Sequence, residues 1–136
     1  MTPELEALSR RLVPLWKWRG GERWRFDIPT VVWSRYEGDD LCDSDGALCR
    51  EAEPQTRGPV LLDLTDPATV GCLLVLVREI LGCPDMSTRS NVTVFGDVWT
   101  SGPWAVVSTS RHVSIDVATG PTEAIALCNA ILLRRG

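Results

Sequence analysis

The stretch from Asp66 to Pro84 constrains the fold most. Asp66 and Pro67 form a strong helix start, and Gly82 followed by Pro84 forms a strong stop. The residues between them, centred on Val70-Gly71-Cys72-Leu73-Leu74-Val75-Leu76-Val77, are apolar at every helical angle. A helix of that kind is expected to be a buried central element rather than a surface one. The rest of the chain must supply material to pack around it.

After this helix the pattern switches to alternation. Asn91–Phe95, Trp104–Ser108 and His112–Val117 read as strands. Gly120-Pro121-Thr122-Glu123 then opens a last helix with Ala124, Cys128, Ile131 and Leu132 on its apolar stripe, and Arg134 and Arg135 near its C-terminus. Residues 60–136 therefore read as an α-β-β-β-α unit, an antiparallel sheet covered on one face by two helices.

The N-terminal part, residues 1–36, reads as a helix followed by strands rich in Trp and Arg. Thr2, Pro3, Glu4 and Glu6 start the helix, Leu5, Leu8 and Leu12 give its stripe, and Pro14 ends it. Two alternating runs then flank Gly20-Gly21, which predicts a β-hairpin. A three-residue loop, Gly20 to Glu22, sets Trp18 opposite Trp24 and Trp16 opposite Phe26, with Lys17, Arg19, Arg23 and Arg25 on the other face. Thr30–Tyr36 is expected to form a third strand. Residues 37–59 lose all apolar period and read as a long acidic loop. The overall expectation is an α+β fold in a single domain of 136 residues.

Composition narrows the function. Hydrophobic residues are 44% of the chain, enough for a core, and the formal net charge is −4, which weighs against generic binding to nucleic acid. The nearly apolar run Ala68–Val77 is too short to span a bilayer, so no membrane association is expected. The start of the chain has no basic leader followed by an apolar stretch, and the five cysteines, at 42, 49, 72, 83 and 128, are odd in number and irregular in spacing. Free thiols in the cytoplasm are the expectation.

Two charge features stand out. Arg10 to Arg25 holds six basic residues and one acid, interleaved with Trp16, Trp18 and Trp24. Glu37 to Glu53 holds seven acids and one arginine. The candidate partner-binding residues are Trp16, Lys17, Trp18, Arg19, Arg23, Trp24 and Arg25 from the first feature, and Asp39, Asp40, Asp43 and Asp45 from the second. Both are equally readable as ordinary solvated segments, or as segments that attract each other within the fold.

Motifs for chemistry fail on spacing. His112, Ser114 and Asp116 have a triad's composition, but alternate side chains on a strand stand about 6.6 Å apart, too far for the contacts a triad needs. Asp43-Ser44-Asp45-Gly46 lacks the flanking ligands of a calcium loop, because Leu41 and Ala52 occupy those positions. Cys42 and Cys49 are spaced too widely for a usual structural zinc pair. No catalytic group, metal or cofactor is expected.

The segment Leu62-Asp63-Leu64-Thr65-Asp66-Pro67-Ala68-Thr69-Val70-Gly71-Cys72-Leu73-Leu74-Val75-Leu76-Val77-Arg78-Glu79, with Gly120-Pro121-Thr122-Glu123-Ala124 before the last helix, resembles a group of small phage and prophage proteins. That resemblance implies a mobile-element accessory protein, a class that includes anti-CRISPR and other anti-defence inhibitors of host proteins. The α-β-β-β-α order also resembles double-stranded-RNA-binding domains, which carry a lysine-rich motif at the start of the last helix. Here that place is Gly120-Pro121-Thr122-Glu123-Ala124-Ile125, without lysine. The expected function is therefore non-enzymatic binding to a host protein. The alternative is nucleic-acid binding through Lys17, Arg19, Arg23 and Arg25.

Overall fold

The computed structural model describes residues 1–28, 31–38, 41–42, 48–49, 53–90, 103–110 and 113–135. The fold is α+β, and the chain divides into two compact units, Met1–Cys72 and Leu73–Gly136.

The first unit opens with helix α1, Pro3–Leu12, capped as expected: Thr2 Oγ1 accepts from the Leu5 N–H at 3.3 Å. Leu5, Ser9 and Leu12 form its buried side. Pro14 sits inside a 3-10 turn, Val13–Leu15, that continues the helix before breaking it. Strands β1 (Arg23–Phe26) and β2 (Ser34–Arg35) follow, then a two-residue ladder of β3 (Leu41–Cys42) with β4 (Leu48–Cys49), a 3-10 turn at Pro54–Arg57, and strand β5 (Val60–Leu62).

These strands correct the expected hairpin. Residues 16–22 form no strand. The antiparallel neighbours of β1 are β2, with Arg23 opposite Arg35 and Trp24 opposite Ser34, and β5, with Trp24 opposite Leu62 and Phe26 opposite Val60. The sheet order is β2-β1-β5, so β1 is central. The third strand expected over Thr30–Tyr36 is confined to Ser34–Arg35. Val60-Leu61-Leu62, a short apolar run after Gly58-Pro59, is a fully buried strand that the alternation test does not detect.

Alternation along β1 places Trp24 and Phe26 on one face, where Trp24, Tyr36 and Val60 form a core with Val13, Trp18 and Phe26 packed against it. Trp18 meets Tyr36, and Trp24 meets Phe26, edge to face at 5.3 and 5.1 Å. The outer edge of β5 is closed by α1: the buried Ser9 hydroxyl accepts from the Leu62 N–H at 2.7 Å.

Helix α2, Pro67–Leu81, begins in the first unit and ends in the second. Its bounds agree with the sequence. Its burial does not, because Leu73, Leu76 and Val77 are buried while Leu74 and Val75 are half-buried and Gly71 is exposed. Gly82, at φ 64°, ends it in a left-handed cap, with the Gly82 N–H bonded to Glu79 O and the Cys83 N–H to Arg78 O.

In the second unit, strands β6 (Ser87–Ser90), β7 (Trp104–Ser110) and β8 (Val113–Gly120) form an antiparallel sheet in that order, with a register shift at Val106/Val107. The expected strand Asn91–Phe95 lies outside the described residues. Helix α3, Glu123–Arg135, is capped by Thr122 and packs on β7 and β8 through a side that buries Ala124, Leu127, Cys128 and Ile131. The Glu123 carboxylate accepts from Thr88 Oγ1 at 2.7 Å, which ties the helix start to β6. Among the described residues, no helix is long and apolar enough to cross a membrane.

The close approach of α3 to β8 depends on Gly120. A Cβ there would lie 2.7 Å from the Ala126 nitrogen and 3.1 Å from its Cα, and backbone cannot yield as a side chain can. Gly120→Ala is expected to destabilise the protein by about 2 kcal/mol, read as a lower midpoint in urea unfolding with an unchanged slope.

Candidate protein-binding surface

Glu22 organises the segment that the hairpin reading had made a strand. Its side chain is fully buried. One carboxylate oxygen accepts from Trp16 Nε1 at 3.0 Å and the Arg19 N–H at 2.8 Å, and the other accepts from the Gly20 N–H at 2.7 Å. Gly20 and Gly21 have φ of 109° and 94°, a conformation that glycine adopts without the strain other residues would carry. The chain thus winds around a carboxylate instead of pairing along β1.

This placement decides the fate of the expected binding residues. Trp16 and Trp24 are buried and Trp18 is packed against the core, so these three tryptophans build the interior instead of an exposed face. Lys17 and Arg19 are exposed on the loop. Arg23 and Arg25 lie on the face of β1 opposite the core. Both guanidinium groups stand over the ring of Trp33, at 5.7 and 5.1 Å from its centre. Arg25 is largely buried and is held by Phe26 O, Ile28 O and the Glu6 carboxylate. Asp39, Asp40, Asp43 and Asp45 lie outside the described residues, as does His112 of the rejected triad.

Arg10, Arg23, Arg25 and Arg35 are paired with acids within the unit. Arg10 grips Asp27 with two bonds at 2.8 and 3.0 Å and holds its carboxyl below the ordinary value. Arg23 pairs with Asp63 at 3.2 Å, and Arg35 makes two 3.0 Å bonds to Asp66. Asp63 also accepts from the N–H and hydroxyl of Thr65, and Asp66 from those of Thr69. Thr69 Oγ1 in turn accepts from the Arg23 N–H at 2.8 Å. The polar residues of Asp63-Leu64-Thr65-Asp66-Pro67-Ala68-Thr69 thus form a clasp between the strand face and the start of α2. The acids sit beneath and the arginines above: the side chains of Asp63 and Asp66 are 4% and 10% exposed, against 44% and 48% for Arg23 and Arg35.

Sequence reasoning missed the apolar part of this surface. Val32 is 78% exposed and Ile28 is 54% exposed, both in the sequence between β1 and β2. Large apolar side chains left in water are a feature of surfaces that a partner covers. Only their position in a turn-flanked segment, Asp27 to Trp33, hinted at it.

Burial pushes the Cys128 thiol up to about 12, and burial followed by the nearby Glu22 carboxylate pushes Cys72 up to about 11, so both stay protonated at neutral pH. No group of three or more His, Cys, Asp or Glu side chains among the described residues is placed to hold a metal ion. No family model, no curated protein and no solved structure matches this chain.

The clasp has a pH signature. Asp66 is lowered from the ordinary 3.8 to about 2, chiefly by its bonds to Arg35 and secondarily by those to Thr69. A carboxylate held below its unfolded value stabilises the fold above pH ~4, and that contribution disappears as pH falls towards 2. Unfolding measured from pH 6 to pH 2 is expected to show a steeper loss below pH 4 in the native protein than in Asp66→Asn, which should also be about 1 kcal/mol less stable at pH 6.

Proposed function

We propose that the chain is a non-enzymatic protein-binding factor that modulates a host protein through the surface that exposes Val32 and Ile28. The observation that supports this most is the exposure of two large apolar side chains, Val32 and Ile28. Leaving such groups in water gains nothing for folding, whereas covering them in a complex releases hydrophobic free energy. The likeness of Leu62–Glu79 to phage and prophage proteins directs the proposal to host proteins, nucleic-acid-handling defence effectors among them. Phosphate binding is the less favoured use of the same face, because its arginines already carry carboxylate partners.

Capture from a host-cell lysate with the native chain and with Val32→Asp tests the reading. A host protein retained saturably by the native chain, and about tenfold more weakly by a Val32→Asp variant of unchanged circular dichroism, is the expected result. No saturable protein, or equal retention by both, would contradict it.

A further inference from the structure

Arg25 touches both ends of the connection between β1 and β2. Its side chain is only 12% exposed. At the entry, Nη1 donates to Phe26 O at 3.1 Å and to Ile28 O at 3.0 Å. At the exit, the guanidinium stands 5.1 Å from the centre of the Trp33 ring. Its other arm, Nη2, donates to the Glu6 carboxylate on α1 at 3.3 Å. Arg10, one turn further along α1, holds the Asp27 carboxylate with two bonds. Main-chain bonds add to these: the Asp27 N–H donates to Pro59 O, the Ile28 N–H to Phe26 O, and the Val31 N–H to Ile28 O.

A guanidinium withdrawn from water is costly unless its donors are used. Here they are spent on the segment that leaves Ile28 and Val32 in water. A segment that must be ordered when a partner arrives gives up part of its contact energy, and one already ordered does not. The same bonds satisfy the carbonyl groups on both sides of Asp27, so a partner that covers Ile28 need not supply donors for them. We infer that Arg25 is a positioning residue for partner binding: it holds Ile28 and Val32 in their docking arrangement before the partner arrives, and Arg10 steadies the same segment through Asp27. This inference rests on the protein-binding reading above. It assigns the engaged arginines a role that needs no free charge, since their work is done inside the chain.

Arg25→Lys tests it. The variant keeps the charge but replaces the planar fork with a single ammonium on a flexible stem, which cannot serve two carbonyls, a carboxylate and a ring face together. Backbone order parameters at Ile28 and Val32, measured by nuclear magnetic relaxation, are expected near about 0.85 in the native chain and below about 0.6 in the variant. The host protein captured from lysate by the native chain should be retained about tenfold more weakly by the variant. Gly120→Ala controls for lost stability alone, because it acts in the second unit and should leave both readouts unchanged. Arg10→Gln removes an exposed brace without touching a buried charge, and carries the test should Arg25→Lys fail to fold. It should lower order at Ile28 and weaken retention about threefold. Unchanged order in the variants, reduced order with undiminished retention, or an equal loss of retention in Gly120→Ala would overturn the inference while protein binding stood. Absence of any saturable protein on the native chain would remove the binding reading and this inference with it.

Discussion

A carboxylate removed from solvent is costly unless every lone pair that matters finds a donor. Glu22 meets that demand with an indole N–H and two backbone amides drawn from the six residues before it. Charge-assisted bonds of this kind are about twice as strong as neutral ones, and they bind the loop to itself. Residues 16–21 are thereby withdrawn from the sheet, and the place beside β1 passes to Ser34–Arg35. The stacking of Arg23 and Arg25 over Trp33 follows from that substitution of one strand for another.

Electrostatics in the first unit work by layering. Arg10, Arg23, Arg25 and Arg35 face acids spread along the unit, namely Glu6, Asp27, Asp63 and Asp66. Burying the carboxylates under the guanidinium groups leaves pairs that are neutral in sum and cationic at the surface. That arrangement clasps the start of α2 to the strand.

Local signals were legible in the sequence where local chemistry decides the outcome. Thr2, Asp66-Pro67, Gly82 and Thr122 mark helix ends because capping needs only neighbouring residues. The strands at Trp104 and Val113 were legible from alternation. Strand partners were not, because pairing depends on distant residues. The alternation of Trp16-Lys17-Trp18-Arg19 suits a strand, and only the burial of Glu22 shows why it is a loop. Val60–Leu62 escaped because a strand buried on both faces has no period of two. Among the candidate site residues, the arginine face was foreseeable from Arg23 and Arg25. Trp16 and Trp24 went inside because large aromatic groups gain most from burial. Val32 and Ile28 were overlooked because single apolar residues in a turn carry no pattern.

The central claim is that the Glu22 loop hands the position beside β1 to β2. It is tested most directly by short-range Hα–Hα nuclear Overhauser effects, which connect non-bonded pairs of an antiparallel sheet, where Cα atoms stand only about 4.5 Å apart. The account predicts cross-peaks between Arg23 and Arg35 and between Trp24 and Leu62. Cross-strand peaks joining Trp16–Arg19 to Arg23–Phe26 in their place would contradict it.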